Sequence, residues 1–543
     1  MKNNNDRIDF IQAALKSHND YWEKQKAVMT KLKNAYMTDF YRGQEMLIGP
    51  NELPVESSIA YEHIESIIGS LYTQAPGVEI GKDPIYRQGD ADIAEILVNR
   101  FLQRKRPVLE QVSRLALIYP SAYLKLAPRE SSDLFERVDI RPIEPWNVIV
   151  DTDADCWQNQ RYVGHIYWLT IPEAKKRFGQ KDFKPCPKKD YFDRANAWSG
   201  DYREHASLPE DFLYIKVIEM YDLTHDSLLF WSPEYQDGQA LLDKTTIPIR
   251  NFDDEPLPAI IPLYYSCDPS RPMVGYSALY RIYDQIKEKN LARSRMASAV
   301  RRDARMYIYD TGLVDANALE KISRGEDGTM IPIEGDIQRA ITLLQNPSVN
   351  ADHSFYMQQI EDDLRRGTIQ APFTRGDATN ATATEVNALQ VYSASEIGRL
   401  ARVRDEAIER LANVYIRLLH LAIDEEERVV IAAEDGPIIL TCESLDGKFN
   451  IMALDAGNSP VGDLMKQRSL TTLVQPLTFL GGNREELLKE IVKVYKLPTA
   501  IAVQPQPEQP MMPQAPPEPL QEPAALQPLS ETALRQVLPP PPK

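Results

Sequence analysis

Apolar residues recur every three or four positions between residues 6 and 42: Ile8, Ile11, Leu15, Trp22, Val28, Leu32, Tyr36 and Phe40. That period predicts an amphipathic helix stopped by Gly43 and then by Gly49-Pro50. A second helix is expected from about Glu56 to Tyr72, with Ile59, Ile64, Ile67, Ile68 and Leu71 on one face and Pro76-Gly77 beyond its end. Residues 90–118 read as helix again, broken near Pro107. The pattern then changes to β-branched and aromatic runs at 121–127, 134–140, 146–151, 161–170, 212–222 and 227–231, which predict the strands of a mixed domain. The polar stretch 179–210 reads as a surface loop.

The middle of the chain has an unusual order of elements. Residues 274–306 keep a helical period for about 50 Å of helix. Residues 307–350 are short strand-like pieces (MYIYD, TMIPI, AITLL) separated by Gly312, Gly325, Gly328 and Gly335. A helix is expected over 353–367, then a tight Pro/Gly loop, then a helix from about 382 to 424 that would span about 64 Å if straight. Its apolar positions, among them Val386, Leu389, Leu400, Ile408, Leu411 and Leu418, predict one packing stripe, with Gly398 as the expected kink. Strands are expected at 428–432 and 437–442, and helix within 462–496. The segment 498–543 holds 14 of the 40 prolines, a composition that predicts disorder or polyproline-II, with LSETALRQVL (529–538) as a possible short recognition helix.

At 543 residues the chain has room for three or four folding units. Its net charge of −17 argues against a protein that coats nucleic acid, because non-specific affinity comes from cations that displace counterions. Cys156, Cys186, Cys267 and Cys442 form no CxxC pair, so free thiols in a reducing compartment are expected, with no disulfide framework or zinc site. The N-terminus MKNNNDRIDF lacks an apolar core of signal-peptide type, and no apolar run is long enough to cross a bilayer. These features predict a soluble cytoplasmic chain with no membrane partner.

No P-loop, G-x-G-x-x-G, H-E-x-x-H or G-x-S-x-G motif is present, and the seven histidines are scattered. No catalytic residue, metal ligand or cofactor site is therefore assigned, and the chain is not expected to be an enzyme. The strongest rival reading rests on Asp151, Asp153 and Asp155 in DTDAD, since alternating carboxylates can bind a hard cation. A calcium loop would want Gly and Glu where Cys156 and Tyr162 stand, and a two-metal nuclease site would need carboxylates from elsewhere. A polar turn closing the strand WNVIV accounts for the cluster more simply. A third reading is a helical scaffold with a Pro-rich ligand segment.

Between Lys287 and Arg305 lie seven positive residues and two negative ones, a basic helix inside an acidic chain. Arg293, Arg295, Arg301, Arg302 and Arg305 are its arginines. They suit either a solvated face, a polyanion or an acidic partner. Arg365 and Arg366 add positive charge near the loop QAPFTRGDATNATAT, offset by Glu361, Asp362 and Asp363. Within that loop Phe373, Thr374, Arg375 and Gly376 either connect two helices or present side chains to something that passes.

Taken in order, four segments resemble those of tailed-phage portal (head-to-tail connector) proteins. They are NELPVESSIAYEHIESIIGSLYTQAPGVEI, EPWNVIVDTDADCWQNQRYVGHIYWLTIPEAKKRFG, PLYYSCDPSRPMVGYSALYRIYDQIKEKNLARS (with Gly275, Ser277, Gln285 and Asn290) and ATATEVNALQVYSASEIGRLARVRDEAIERL. The likeness covers roughly residues 50–460 and lies in the order of degenerate motifs, with a short-tailed phage as the nearest fit.

The resemblance implies an α+β portal-like fold: an α/β wing, a two-helix stem, a small strand-containing clip, a long spine helix and a helical crown. Residues 1–272 and 425–460 would form the wing, 273–306 the stem helix, 307–350 the clip and 351–370 the stem return helix. The tunnel loop would be 371–381, the spine 382–424, the crown 461–497 and the Pro-rich disordered tail 498–543. It further implies a homo-oligomeric ring, usually a 12-mer, at one capsid vertex of the virion, assembled in the host cytoplasm. Double-stranded DNA would pass through it non-specifically during packaging and ejection. The large terminase subunit and later a tail adaptor protein would dock on the clip, and the major capsid and scaffolding proteins would surround it. Twelve such chains would carry about −200 in formal charge, which lets DNA slide instead of adhering. Phe373–Gly376 would face the DNA, and the stem arginines would meet either DNA or a neighbouring subunit.

Overall fold

The computed structural model describes residues 4–454, with breaks at 50–51, 74, 83–89, 180–181, 185–212, 236, 245, 252–253, 303–305, 310–319, 321–340, 345–350, 368–382 and 434–435. The chain divides into two compact units, Met1–Met465 and Lys466–Lys543, and every described element belongs to the first. The expected loop at 371–381, most of 307–350 and 179–210, and everything assigned to the crown and tail lie outside the described residues.

Helix α1 (Asn4–Tyr36) ends before Gly43. Residues 37–43 turn back instead, with Thr38 and Gly43 both at positive φ, and this tucks Phe40 into the core. Helix α2 (Ile59–Leu71) buries Ile64, Ile67, Ile68 and Leu71, as its period requires. Strand β1 (Val78–Lys82) follows, then helix α3 (Ala91–Ile118), capped by the Asp90 carboxylate on the amides of Asp92 and Ile93. The expected break at Pro107 does not occur, and α3 runs through it. Proline removes one N–H and crowds one turn, a local cost of about 3 kcal/mol. Burial of Phe101, Leu102, Leu109 and Val112 on either side holds both halves in line.

Strands β2 (Ala122–Pro128) and β3 (Val138–Ile143) pair antiparallel, and β3 begins later than the pattern suggests because Leu134–Glu136 forms a 3-10 turn. Next come β4 (Val148–Val150), β5 (Tyr162–Thr170), helix α4 (Ile171–Phe178), β6 (Tyr214–Asp222), β7 (Ser227–Trp231) and β8 (Leu242–Lys244). A capping box between Thr170 and Glu173 starts α4 directly from β5. The five strands form an antiparallel meander in the order β4-β5-β6-β7-β8. Its alternation is clean: Ile149, Ile166, Ile218, Met220, Leu229 and Trp231 on one face pack against Ile8 and Ile11 of α1. Strand β9 (Ile260–Leu263) joins β2 on the other edge from β3, giving the order β3-β2-β9.

Strands β10 (Cys267–Asp268) and β11 (Arg271–Gly275) form a short antiparallel pair ahead of helix α5 (Ala278–Arg302). The helix expected to start at 273 or 274 therefore begins after this pair, and its last turn stops short of 306. Strand β12 (Met306–Tyr309) pairs with β13 (Ile341–Leu344), and helices α6 (Ala351–Gly367) and α7 (Ala383–Leu421) follow. Helix α7 is continuous through the expected kink at Gly398. Its second half is buried on most faces, with Val414, Tyr415 and Ile416 consecutive in the core, so a single stripe understates it. The Tyr415 ring stacks on Phe101 of α3 with centroids 4.1 Å apart. Strands β14 (Val429–Ala433) and β15 (Gly436–Leu440) make a hairpin, and β16 (Phe449–Ala453) returns to pair with β1. The protein is α+β, with small antiparallel sheets assembled around α3 and α7. No helix among the described residues is long and apolar enough to cross a membrane. Cys156, Cys267 and Cys442 are free thiols.

Candidate nucleic-acid interface

The basic helix α5 is held at its start by two small residues. A Cβ built on Gly275 would lie 1.6 Å from the Pro120 carbonyl oxygen, so only glycine admits this approach. Ser277, the residue before α5, donates from Oγ to the Ile118 carbonyl at 2.7 Å and accepts from the Tyr280 amide at 3.3 Å. It caps α5 and ties it to the end of α3 at once.

Along one face of α5 runs a buried polar stripe, Asn290, Ser294 and Ser298. The amides of Ser57, Val55 and Leu53 donate to these three side chains in turn, at 3.0, 2.8 and 2.8 Å. Four residues of helix rise about 6.0 Å and two residues of extended chain about 6.6 Å, so the two ladders stay in step over three rungs. The Tyr41 hydroxyl shares a fourth hydrogen bond with Ser294 at 2.8 Å. Asn290 stands out in the sequence, but Ser294 and Ser298 do not, although their spacing of four is legible there.

Helix α6 packs on another side of α5. The Lys289 ammonium donates to Glu361 at 3.0 Å, and the Tyr356 hydroxyl donates to Glu288. A cleft of about 560 Å³ between the helices is lined by Arg295, Leu291, Met296, Ala299, Tyr356 and Met357. Arg293 and Arg295 are both exposed. Two residues apart on a helix, they stand about 200° apart around its axis. The basic run is therefore divided: Lys289 is committed to Glu361, Arg295 borders the α5/α6 cleft, and Arg293 lies on another flank. Arg301 and Arg302 lie on the α5 backbone, and Arg365 and Arg366 on that of α6, with side chains outside the described residues. Arg305, Phe373, Thr374, Arg375 and Gly376 also fall outside them.

Two of the DTDAD carboxylates, Asp151 and Asp153, share Arg161, which lies 3.6 Å from Asp153, and the third bonds Asn159. Asp151 is buried and receives Arg161 through both Nε and Nη2, the latter at 2.9 Å, together with the Asp153 amide at 3.2 Å. The Arg161 guanidinium, helped by that amide, holds the Asp151 carboxyl below the usual carboxylate range despite its burial. Gln160 bonds the Asp151 backbone with both ends of its amide, at 2.8 and 3.0 Å. Asp155 accepts from Asn159 at 2.7 Å, and Asp153 is 86% exposed. The cluster is a pinned turn between β4 and β5. Among the described residues no group of three or more His, Cys, Asp or Glu is placed to hold a metal ion.

No protein-family model matches the chain, and no curated protein matches it.

Proposed function

We propose that this chain is the subunit of a portal-type ring, a passive channel for double-stranded DNA at one capsid vertex. The observation that carries the reading is the path of the chain through α5 and α6. It leaves α5 into β12, returns through β13 into α6, and β12 and β13 pair antiparallel from Met306↔Leu344 to Tyr309↔Ile341. A long helix, α7, then passes into the core of the α+β unit. In this reading α5 and α6 are the stem, the residues between them the clip, and residues 371–381 the tunnel loop. Helix α7 is the spine, and the sheets are the wing.

The pinning of α5 by Gly275, Ser277 and the Asn290 stripe suits a rigid stem that bears load. The acidic chain suits a channel along which DNA slides, and the energy for packaging would come from a separate terminase ATPase. A terminase and later a tail adaptor would dock at the clip, inside a capsid and scaffold shell. The metal-enzyme alternative loses ground because Asp151 is taken up by Arg161. Negative-stain microscopy of the purified full chain tests the proposal. Rings with a central hole, near twelve-fold in class averages, are expected; monomers or filaments at all concentrations overturn it.

A further inference from the structure

A second feature lies well away from α5. The face of the five-stranded sheet opposite α1 borders a cleft of about 870 Å³, closed on its other side by β2 and the end of α7. Its floor is a buried charged network. Lys125 of β2 donates to Glu219 of β6 at 2.5 Å and to His165 Nδ1 of β5 at 3.0 Å. The Tyr221 hydroxyl donates to the other Glu219 oxygen at 2.6 Å. His165 and Glu219 are direct cross-strand partners, so the sheet register itself assembles the site. Burial, reinforced by the neighbouring Lys125 charge, keeps His165 well below its ordinary pKa, so its ring is neutral and Nδ1 is free to accept. Burial alone would raise the pKa of Glu219, but Lys125 and the Tyr221 hydroxyl outweigh it and keep the carboxylate ionised.

The rim of the cleft has cations to spare. Arg141 is paired with Asp139 at 2.8 Å, and Lys125 with Glu219. Arg129 and Lys244 are exposed and make no ion pair among the described residues. Arg177 lies over the rings of Tyr167 and Phe230, 5.7 and 5.3 Å from their centroids; it makes no ion pair among the described residues, and its charge helps to keep Glu219 ionised. The cleft is thus lined by five cations against two carboxylates, Asp139 and Glu219, in a chain of net charge −17. The remaining wall is apolar, with Leu126, Phe230, Ile249 and Leu418. Clefts of about 300–1,000 Å³ with apolar walls and a few convergent polar groups are typical of small-molecule sites.

We propose that this cleft binds a small organic phosphate, its anionic group held by Arg129, Arg177 and Lys244 and its apolar body against Phe230 and Leu418. The volume exceeds what a bare phosphate fills, and the recessed floor suits a compact ligand better than a duplex backbone. The proposal is independent of ring formation and stands or falls without it.

Calorimetric titration of the full chain with phenyl phosphate, and with inorganic phosphate in parallel, tests it. Saturable binding of phenyl phosphate is expected, tighter than that of inorganic phosphate, and weakened at least about tenfold in the double variant Arg177→Gln/Lys244→Gln. Arg177 also packs over the Tyr167 and Phe230 rings, so the thermal midpoint is measured alongside, and Lys244→Gln alone, at an exposed side chain, should weaken binding while keeping the midpoint of the parent chain. Absence of saturable binding, equal affinity for the two anions, or an unweakened double variant overturns the proposal. So does displacement of phenyl phosphate by a short DNA duplex, which would make the cleft a contact for the nucleic-acid backbone.

Discussion

Asn290 Oδ1 accepts from both the backbone amide and the hydroxyl of Ser57, at 3.0 and 2.7 Å, across 233 positions of sequence. Both residues are buried, so one side-chain oxygen satisfies two groups that water cannot reach. Asn290→Ala leaves both donors unpaired and should cost about 1–3 kcal/mol. Ser298→Ala, at the far end of the stripe, strands only the Leu53 amide and should cost about half as much. Urea unfolding of both variants checks the order; equal, negligible losses would contradict it.

Gly275 faces a harder limit. Any side chain there meets the Pro120 carbonyl, and backbone must move to admit it. Gly275→Ala should destabilise by about 3 kcal/mol or abolish soluble expression, while Gly398→Ala, which meets nothing within 4 Å, should be neutral or slightly stabilising. Thermal midpoints of the two variants, measured together, separate close packing from helix propensity.

Arg404 of α7 is 2% exposed, donates to the Leu71 carbonyl, and holds Asp405 through Nε and Nη2 at 2.9 and 2.6 Å. Arg404→Met strips a largely buried carboxylate of this partner and should cost about 3–5 kcal/mol. Adding Asp405→Asn should recover part of that loss, because the buried charge goes with its partner. A double-mutant cycle that shows simple additivity would refute the coupling.

Acid should loosen the packing of α1 on the sheet region. His18 Nε2 bonds the Trp146 carbonyl at 2.9 Å, so that nitrogen carries the proton and the ring is neutral. Burial is the main cause that lowers its pKa from 6.5 to about 4, opposed by the Trp146 carbonyl and assisted by Lys216. The unfolded chain therefore takes up this proton first, and stability falls as pH drops from about 6.5 toward 4. His18→Gln, which keeps a donor for Trp146, should flatten that part of the stability profile. An unchanged slope would show that other groups, His165 among them, carry it.

For the channel reading, Arg375→Ala and deletion of Phe373–Gly376 should each shorten the packaged DNA while rings still assemble. The measurement is genome length in purified heads. Full-length DNA from both variants would remove these residues from any role in DNA retention.

Periodicity alone determined much of the element list. Strand β7 spans Ser227–Trp231 as its pattern predicts, and the helix expected over 353–367 spans Ala351–Gly367. Alternation and the three-to-four spacing are local signals, written within one element and readable without a partner. The failures occur where a distant partner decides. Pro107 does not break α3, because buried neighbours on both sides outweigh a local cost. Helix α5 starts late, because Gly275 is drawn into contact with Pro120, and Thr38 turns the chain before Gly43 can.

The candidate sites divide in the same way. That α5 is basic was evident from composition, but Arg293 and Arg295 face different directions, and Lys289 belongs to Glu361. DTDAD was legible as a turn of carboxylates, yet only the fold shows Asp151 taken by Arg161. The Lys125–Glu219–His165 network had no sequence signature, since its members stand alone on three strands. Hydrophobic period is a property of consecutive residues, and sequence by itself determined it. Which charges meet depends on strand register and on the approach of separate elements, and that only the tertiary structure decided.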